Sequence, residues 1–256
     1  MTLKVTLLGC GTSSGVPRIG NDWGTCDPTE PRNARTRASI LIESSTTRIL
    51  VDTSPDMRGQ LLAAGVVEID AILWTHDHAD HCHGIDDVRQ LFHHAGSPVP
   101  GYARRQTLDL LRQRFAYAFE GREGYPSTID GRIMPDTFVI GDIAIATVDQ
   151  PHGSIYSTGF RFDYGGKTIA YATDFHEITG EMLEMYRGVD IWIADALRVR
   201  PHPTHAHLAQ TLTAIQGAKP GRAILTHMDH SMDYHVLRAM LPAGVEPGYD
   251  GMVAVA

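Results

Sequence analysis

Short apolar or alternating runs recur along this chain and predict strands over 5–8, 40–42, 49–51, 72–74, 143–148, 168–172, 191–194 and 223–225. Between them, apolar positions three and four apart predict helices over 56–64, 85–94, 104–119, 181–186 and 208–215. Leu108, Leu111 and Phe115 form the clearest helical stripe, for which core packing is the simplest account. Five of the strand-like runs lead into a polar residue able to do chemistry: Asp52, His76, Asp174, Asp195 and His227. That is the pattern of a site assembled from loops at strand ends. Gly121, Gly124, Pro126, Gly131 and Pro135 mark the only long turn-rich stretch, a loop beside a site or the joint between two halves. No repeat or low-complexity segment interrupts the alternation, and the pattern alone predicts a two-sheet core with helices outside.

Composition narrows the class. A length of 256 residues suffices for a sizeable core, and 43% hydrophobic with 20% charged residues is ordinary for a globular protein. The 22 basic against 30 acidic residues give a formal charge of -8, which disfavours extended nucleic acid as a partner but leaves room for a small phosphorylated substrate at a metal site. Cys10, Cys26 and Cys82 are odd in number and far apart, and Met1-Thr2-Leu3-Lys4 runs straight into a strand-like segment with no signal peptide. A reducing cytoplasm is therefore expected, and no apolar run approaches the ~20 residues of a membrane span, so no membrane partner is expected either.

The chemistry concentrates between Thr75 and Gly84. His76, Asp77, His78, Asp80 and His81 place five metal-capable side chains in six consecutive positions. On a loop they can face one or two divalent ions, whereas a helix would scatter them around its circumference.

His76-Asp77-His78-Ala79-Asp80-His81 resembles the H-x-H-x-D-H signature of the metallo-β-lactamase fold hydrolases. Further parts of that family's pattern follow in order: His152 in Gln150-Pro151-His152-Gly153, Asp174 in Tyr171-Ala172-Thr173-Asp174, and His227 in Leu225-Thr226-His227. The resemblance implies an α+β fold, a four-layer αββα sandwich, as a single hydrolase domain over 1–256. It implies one metal on His76, His78 and His152, a second on Asp80, His81 and His227, Asp174 bridging them, and Asp52 supporting a ligand histidine. Mixed imidazole and carboxylate donors suit zinc, manganese or iron alike.

The match extends to Leu8-Gly9-Cys10-Gly11-Thr12-Ser13-Ser14-Gly15, to His227-Met228-Asp229-His230 and to Gly248-Tyr249-Asp250-Gly251-Met252, which look like the PhnP-type phosphodiesterases of the carbon-phosphorus lyase pathway. By that resemblance the protein is a dinuclear phosphodiesterase acting on a small, cyclic ribose-like or nucleotide-like diester. Two cations would activate a shared water for in-line attack, with Asp80 and Asp174 in the catalytic centre and His205 as general acid. His207 is the second choice for the acid. Thr12, Ser13, Ser14, His83 and His207 are candidate substrate contacts, while Arg18, Arg35 and Arg37 read as solvated charges in preference to contacts for a second phosphate. Where the resembled enzymes carry three cysteines for a structural zinc, this chain has Asn21, Trp23 and Cys26, with His230 as the late partner, so no ordinary structural zinc is expected.

Competing readings fit less well. A dizinc β-lactamase would place Cys at position 174, a flavodiiron reductase Glu at 78, and a tRNA-processing nuclease a longer arm than 122–136. A glyoxalase-like thioesterase or lactonase uses the same ligands and remains the alternative. Oligomeric state is not legible, and a homodimer is left open.

Overall fold

The computed structural model describes residues 2–256. Strands β1 (Lys4–Gly9), β2 (Ser39–Glu43), β3 (Arg48–Val51), β4 (Ala71–Leu73), β5 (Val99–Ala103) and β6 (Ile129–Ile133) build one sheet. Strands β7 (Thr137–Ile140), β8 (Ile143–His152), β9 (Ile155–Tyr164), β10 (Lys167–Ala172), β11 (Ile191–Asp195), β12 (Arg222–Thr226) and β13 (Val245–Pro247) build the other. The chain end returns as β14 (Val253–Val255) beside β1, so both sheets have seven strands.

The two sheets share one plan. In the first, β14-β1-β2-β3 pair antiparallel and β3-β4-β5-β6 parallel; in the second, β7-β8-β9-β10 pair antiparallel and β10-β11-β12-β13 parallel. Parallel strands need crossovers, supplied by α1 (Met57–Ala64), α2 (Ala79–Cys82), α3 (Val88–Ala95), α4 (Arg105–Arg114), α5 (Ala116–Glu120), α6 (Gly180–Tyr186), α7 (Leu208–Ala218) and α8 (Tyr234–Met240). The inner faces meet in a core that includes Val5, Ile40, Ile49, Phe160, Tyr171 and Ile193. A second apolar layer, with Leu50, Ile72, Trp74, Met57, Val88 and Leu108, lies between the first sheet and its helices. This is the αββα sandwich expected. Central strands such as β11 are buried along their whole length, which explains why they read as apolar runs rather than alternations.

Sequence and structure diverge where packing overrides local pattern. No strand is expected over 99–103, yet Val99–Ala103 is β5, paired with β4 and β6, and glycine stands at 101 because a Cβ there would meet the Trp74 ring at 2.5 Å. The helix expected over 104–119 breaks at Phe115 into α4 and α5. The turn-rich stretch carries edge strand β6 and then passes to β7, so it is the joint between the sheets. No helix among the described residues is long and apolar enough to cross a membrane.

All three cysteines are free and buried. Burial raises the Cys26 thiol, raises Cys10 much further and pushes Cys82 up to about 12. Since only the thiolate reacts, iodoacetamide on the folded protein at about pH 8 should label none of them, and all three after denaturation. Intact mass checks this; labelling of the native protein would show that the core opens.

Candidate metal centre

Both sheets switch from antiparallel to parallel pairing at their middle strand, and the polar residues gather beyond the C-terminal ends of the parallel strands. Asp52 follows β3 and Asp174 follows β10, the corresponding strands of the two halves. Asp52, Asp174 and His227 have φ of 65°, 58° and 57°, the left-handed region that non-glycine residues seldom occupy. Such strain persists where surrounding contacts over-determine it and clusters at functional sites.

Four buried histidines turn Nε2 to a common centre, and in three of them Nδ1 is anchored to the protein. His76 Nδ1 lies 2.9 Å from Thr75 Oγ1, His81 Nδ1 2.7 Å from Asp52 Oδ2, and His152 Nδ1 2.8 Å from the Thr204 carbonyl. His227 Nδ1 lies 3.9 Å from Asp195 Oδ1. Asp52 is fixed in turn by the Thr75 N–H at 2.8 Å and by the Thr75 hydroxyl. Outer carboxylates and carbonyls of this kind set the tautomer and aim of ligand imidazoles.

Asp174 divides the centre. Its Oδ2 faces His76 Nε2 at 3.7 Å and His152 Nε2 at 3.5 Å, while its Oδ1 faces His81 Nε2 at 3.2 Å and His227 Nε2 at 3.4 Å. Asp80 Oδ2 lies 3.5 Å from both His81 and His227 Nε2. His78 completes the first group, its Nδ1 3.2 Å from His152 Nε2. Two sets of donors thus converge with ligand atoms within 4.8 Å: His76, His78, His152 and Asp174, and Asp80, His81 and His227. The Nε2 atoms of His76, His81 and His227 have no hydrogen-bond partner although buried. Orphaned nitrogens aimed at shared carboxylates are what a bound cation satisfies, so the residues fit metal.

Charge supports this. Burial opposes ionisation of His81, yet Asp174, Asp80 and Asp52 hold its pKa well above the usual imidazole value. His227 is likewise pushed up to about 9 against its own burial, chiefly by Asp174. His76, buried and beside His81, is held well below. Asp174 and Asp80 stay ionised despite burial, Asp174 through His227 and His81 and Asp80 through His81. A divalent cation among these carboxylates would replace the protons they hold on the imidazoles.

A third grouping, Asp174, Asp195, His205 and His227, also has the right atom types. Its geometry differs: Asp195 lies on the Nδ1 side of His227, and its Oδ2 accepts from the Asp174 N–H at 3.0 Å and faces His205 Nδ1 at 3.2 Å. Asp195 therefore braces the centre from behind.

A cavity of about 270 Å³ opens over the centre, lined by Ser13, His78, Asp80, His152, Gly153, Ser154, Ile155, Asp174, Thr204 and His205. Of the expected substrate contacts, Ser13 reaches it. Thr12 is buried beneath, its N–H on the Met228 carbonyl, and Ser14 bonds to the Gly15 carbonyl. His83 caps α2 and packs on Phe115, and His207 turns to Gln210 Oε1 at 3.0 Å, so neither lines the cavity. Asp77 pairs with Arg114 outside the donor groups, and α2 carries Asp80 and His81 on a short helix rather than the expected loop. Arg35 is not a solvated charge: it is buried and donates to the Met232 carbonyl at 2.6 Å, while Arg37 pairs with Asp56. Cys26 lies 3.9 Å from Arg35 Nη1, and Trp23 Nε1 donates to Asn21 Oδ1. Asp195 stands out in the sequence only as a polar strand end able to orient His205; its place beside His227, and the Thr204 carbonyl behind His152, had no local signal.

The Beta-lactamase superfamily domain matches residues 47–228. A protein named Octanoyltransferase, from Porphyromonas gingivalis, is 33% identical over 260 residues, covering 99% of this chain and 51% of that protein. The chain spans about half the length of the curated relatives it matches. Among solved structures, a new diphosphatase from the PhnP family superposes with a TM-score of 0.90 at 34% identity, covering 100% of this chain and 98% of that one. Zn²⁺-bound PqqB from Methylobacterium extorquens superposes with a TM-score of 0.80 at 18% identity, covering 98% and 99%, which shows the shared fold.

Proposed function

Because this chain belongs to the beta-lactamase superfamily, we propose that it is a metal-dependent hydrolase of small phosphodiesters, with two divalent ions held by the two donor groups and His205 as general acid. The observation that carries the reading is the division of Asp174, one oxygen toward each set of histidines. His76, His78, His152 and Asp174 would hold one ion, and Asp80, His81, His227 and Asp174 the other. When bound, such ions supply Lewis-acid charge and lower the pKa of water at the site.

The chain's own residues do the rest. His205 lines the cavity with Nδ1 turned to Asp195, which leaves Nε2 to deliver a proton to the departing alcohol oxygen. Asp195 fixes that orientation, much as a buried carboxylate orients a catalytic histidine elsewhere. Ser13, Ser154 and Thr204 offer hydroxyls to phosphate oxygens, and Ile155 an apolar wall to the organic part. Breaking a phosphorus–oxygen bond also agrees with the diphosphatase that is 34% identical along the whole chain.

The relative named Octanoyltransferase favours a second reading, hydrolysis of an acyl thioester or lactone at the same ligands. Half of that protein lies outside the match, so acyl transfer can reside there instead. Protein reconstituted with Mn²⁺ or Zn²⁺ and offered a chromogenic phosphodiester, a thioester and a lactone separates the two. Diester turnover should dominate; dominant thioester or lactone turnover would move the assignment to the second reading.

A further inference from the structure

Beneath the centre runs a buried chain of polar groups that does not touch the cavity. Tyr186 on α6 donates its hydroxyl to Gln150 Oε1 at 2.9 Å. Gln150 Nε2 lies 2.9 Å from both Ser157 Oγ and the Thr173 carbonyl. Ser157 Oγ donates to the Asp174 carbonyl at 2.8 Å. Gln150, Ser157, Tyr186 and Thr173 are all fully buried. The space is reserved for them: a Cβ on residue 159 would stand 1.9 Å from the Tyr186 hydroxyl and 2.6 Å from Gln150 Oε1, which only glycine avoids. The hydroxyl and both polar atoms of the Gln150 amide are engaged, and the Gln150 and Ser157 bonds end on the two carbonyls that flank the left-handed turn at Asp174.

We infer that Gln150, Ser157 and Tyr186 are positioning residues that lock the backbone of Thr173 and Asp174, so that each Asp174 oxygen is presented to its own set of histidines. The inference rests on Asp174 bridging two ions as proposed above. A fully connected buried network rigidifies what it holds, and loss of one member leaves the others unpaired. Without it the peptide at Asp174 is free to relax toward ordinary φ, and the carboxylate turns away from one ion.

The test uses Gln150→Met, which keeps the volume and removes all three side-chain bonds, with Ser157→Ala and Tyr186→Phe as milder variants should Gln150→Met not fold. The readouts are Zn²⁺ and Mn²⁺ affinity by chelator competition, the visible spectrum of Co²⁺-loaded protein, and the melting midpoint. Leu237→Ala in the remote core of α8 serves as the control for general destabilisation. Gln150→Met should weaken metal binding about 10- to 100-fold and change the Co²⁺ spectrum, as for other outer partners of ligands. Ser157→Ala should do the same to a smaller extent, and Tyr186→Phe least, because Gln150 then keeps Ser157 and Thr173. The double variant of Gln150 and Ser157 should be less than additive. Variants that lower the midpoint like Leu237→Ala while affinity and spectrum stay at wild type would reduce the chain to ordinary core structure and overturn the inference. A wild-type protein that binds neither ion would end the proposed function together with it, whereas absent diester turnover with intact metal binding would leave this inference standing.

Discussion

Asp174→Asn will cost this protein its metal and at least about a thousandfold of its turnover, a larger loss than removing one electrostatic donor usually brings. Asparagine is the right probe because it tolerates the left-handed backbone that residue 174 adopts, so the fold survives and the charge alone is removed. The backbone N–H of residue 174 still meets Asp195, and its carbonyl still meets Ser157. What disappears is the anion that faces four imidazole Nε2 atoms, two through each oxygen. The two groups of imidazoles then lose the one anion they share, and with it the negative charge that draws a cation to either set. Metal content by mass spectrometry and hydrolysis of a chromogenic diester measure both losses. A variant that keeps its full metal load and rate would show that Asp174 is not the shared ligand.

His205→Ala will separate proton delivery from metal holding. Its metal content should match wild type, since His205 Nδ1 faces Asp195 and lies 3.8 Å from Asp174 Oδ2, outside the two donor groups. Its kcat should fall about 10²- to 10⁴-fold on a diester of an ordinary alcohol, which cannot leave without a proton, and far less on a nitrophenyl diester, which can. His207→Ala should leave both substrates nearly unaffected, because that ring is turned to Gln210 at the start of α7. Equal loss on both diesters, or loss of metal in His205→Ala, would make His205 a ligand and the third donor grouping a real site.

Much of this site was legible before folding because ligand chemistry is carried by residue type and spacing. The crowding of His76, Asp77, His78, Asp80 and His81, and the polar residues Asp52, Asp174, Asp195 and His227 placed just after apolar runs, are local features. Asp77 belongs to the same crowd, yet it pairs with Arg114, and residue type alone does not distinguish it from Asp80, only its place in the H-x-H-x-D-H pattern. Strand β5 escaped notice for a related reason: its Pro100 and Gly101 answer to pairing between β4 and β6 and to the Trp74 ring, not to their neighbours in sequence.

Residue order alone accounts for the alternation of buried strands and amphipathic helices, the donor atoms available to a metal and the strand ends at which they appear. These depend on side-chain chemistry and on the backbone periods of helix and strand, both of which act over a few residues. Folding settles which nitrogen of each histidine faces the centre, how the oxygens of Asp174 are shared, and that His205 rather than His207 enters the cavity. It also settles that Arg35 is a core residue and that Gln150 reaches Asp174 through Ser157. Those outcomes rest on contacts such as His152 with Thr204, Asp52 with His81 and Arg35 with Met232, which form only when two sheets close on one another. Each contact joins distant parts of the chain, and its geometry is set by the packing of both sheets at once, so no local pattern encodes it.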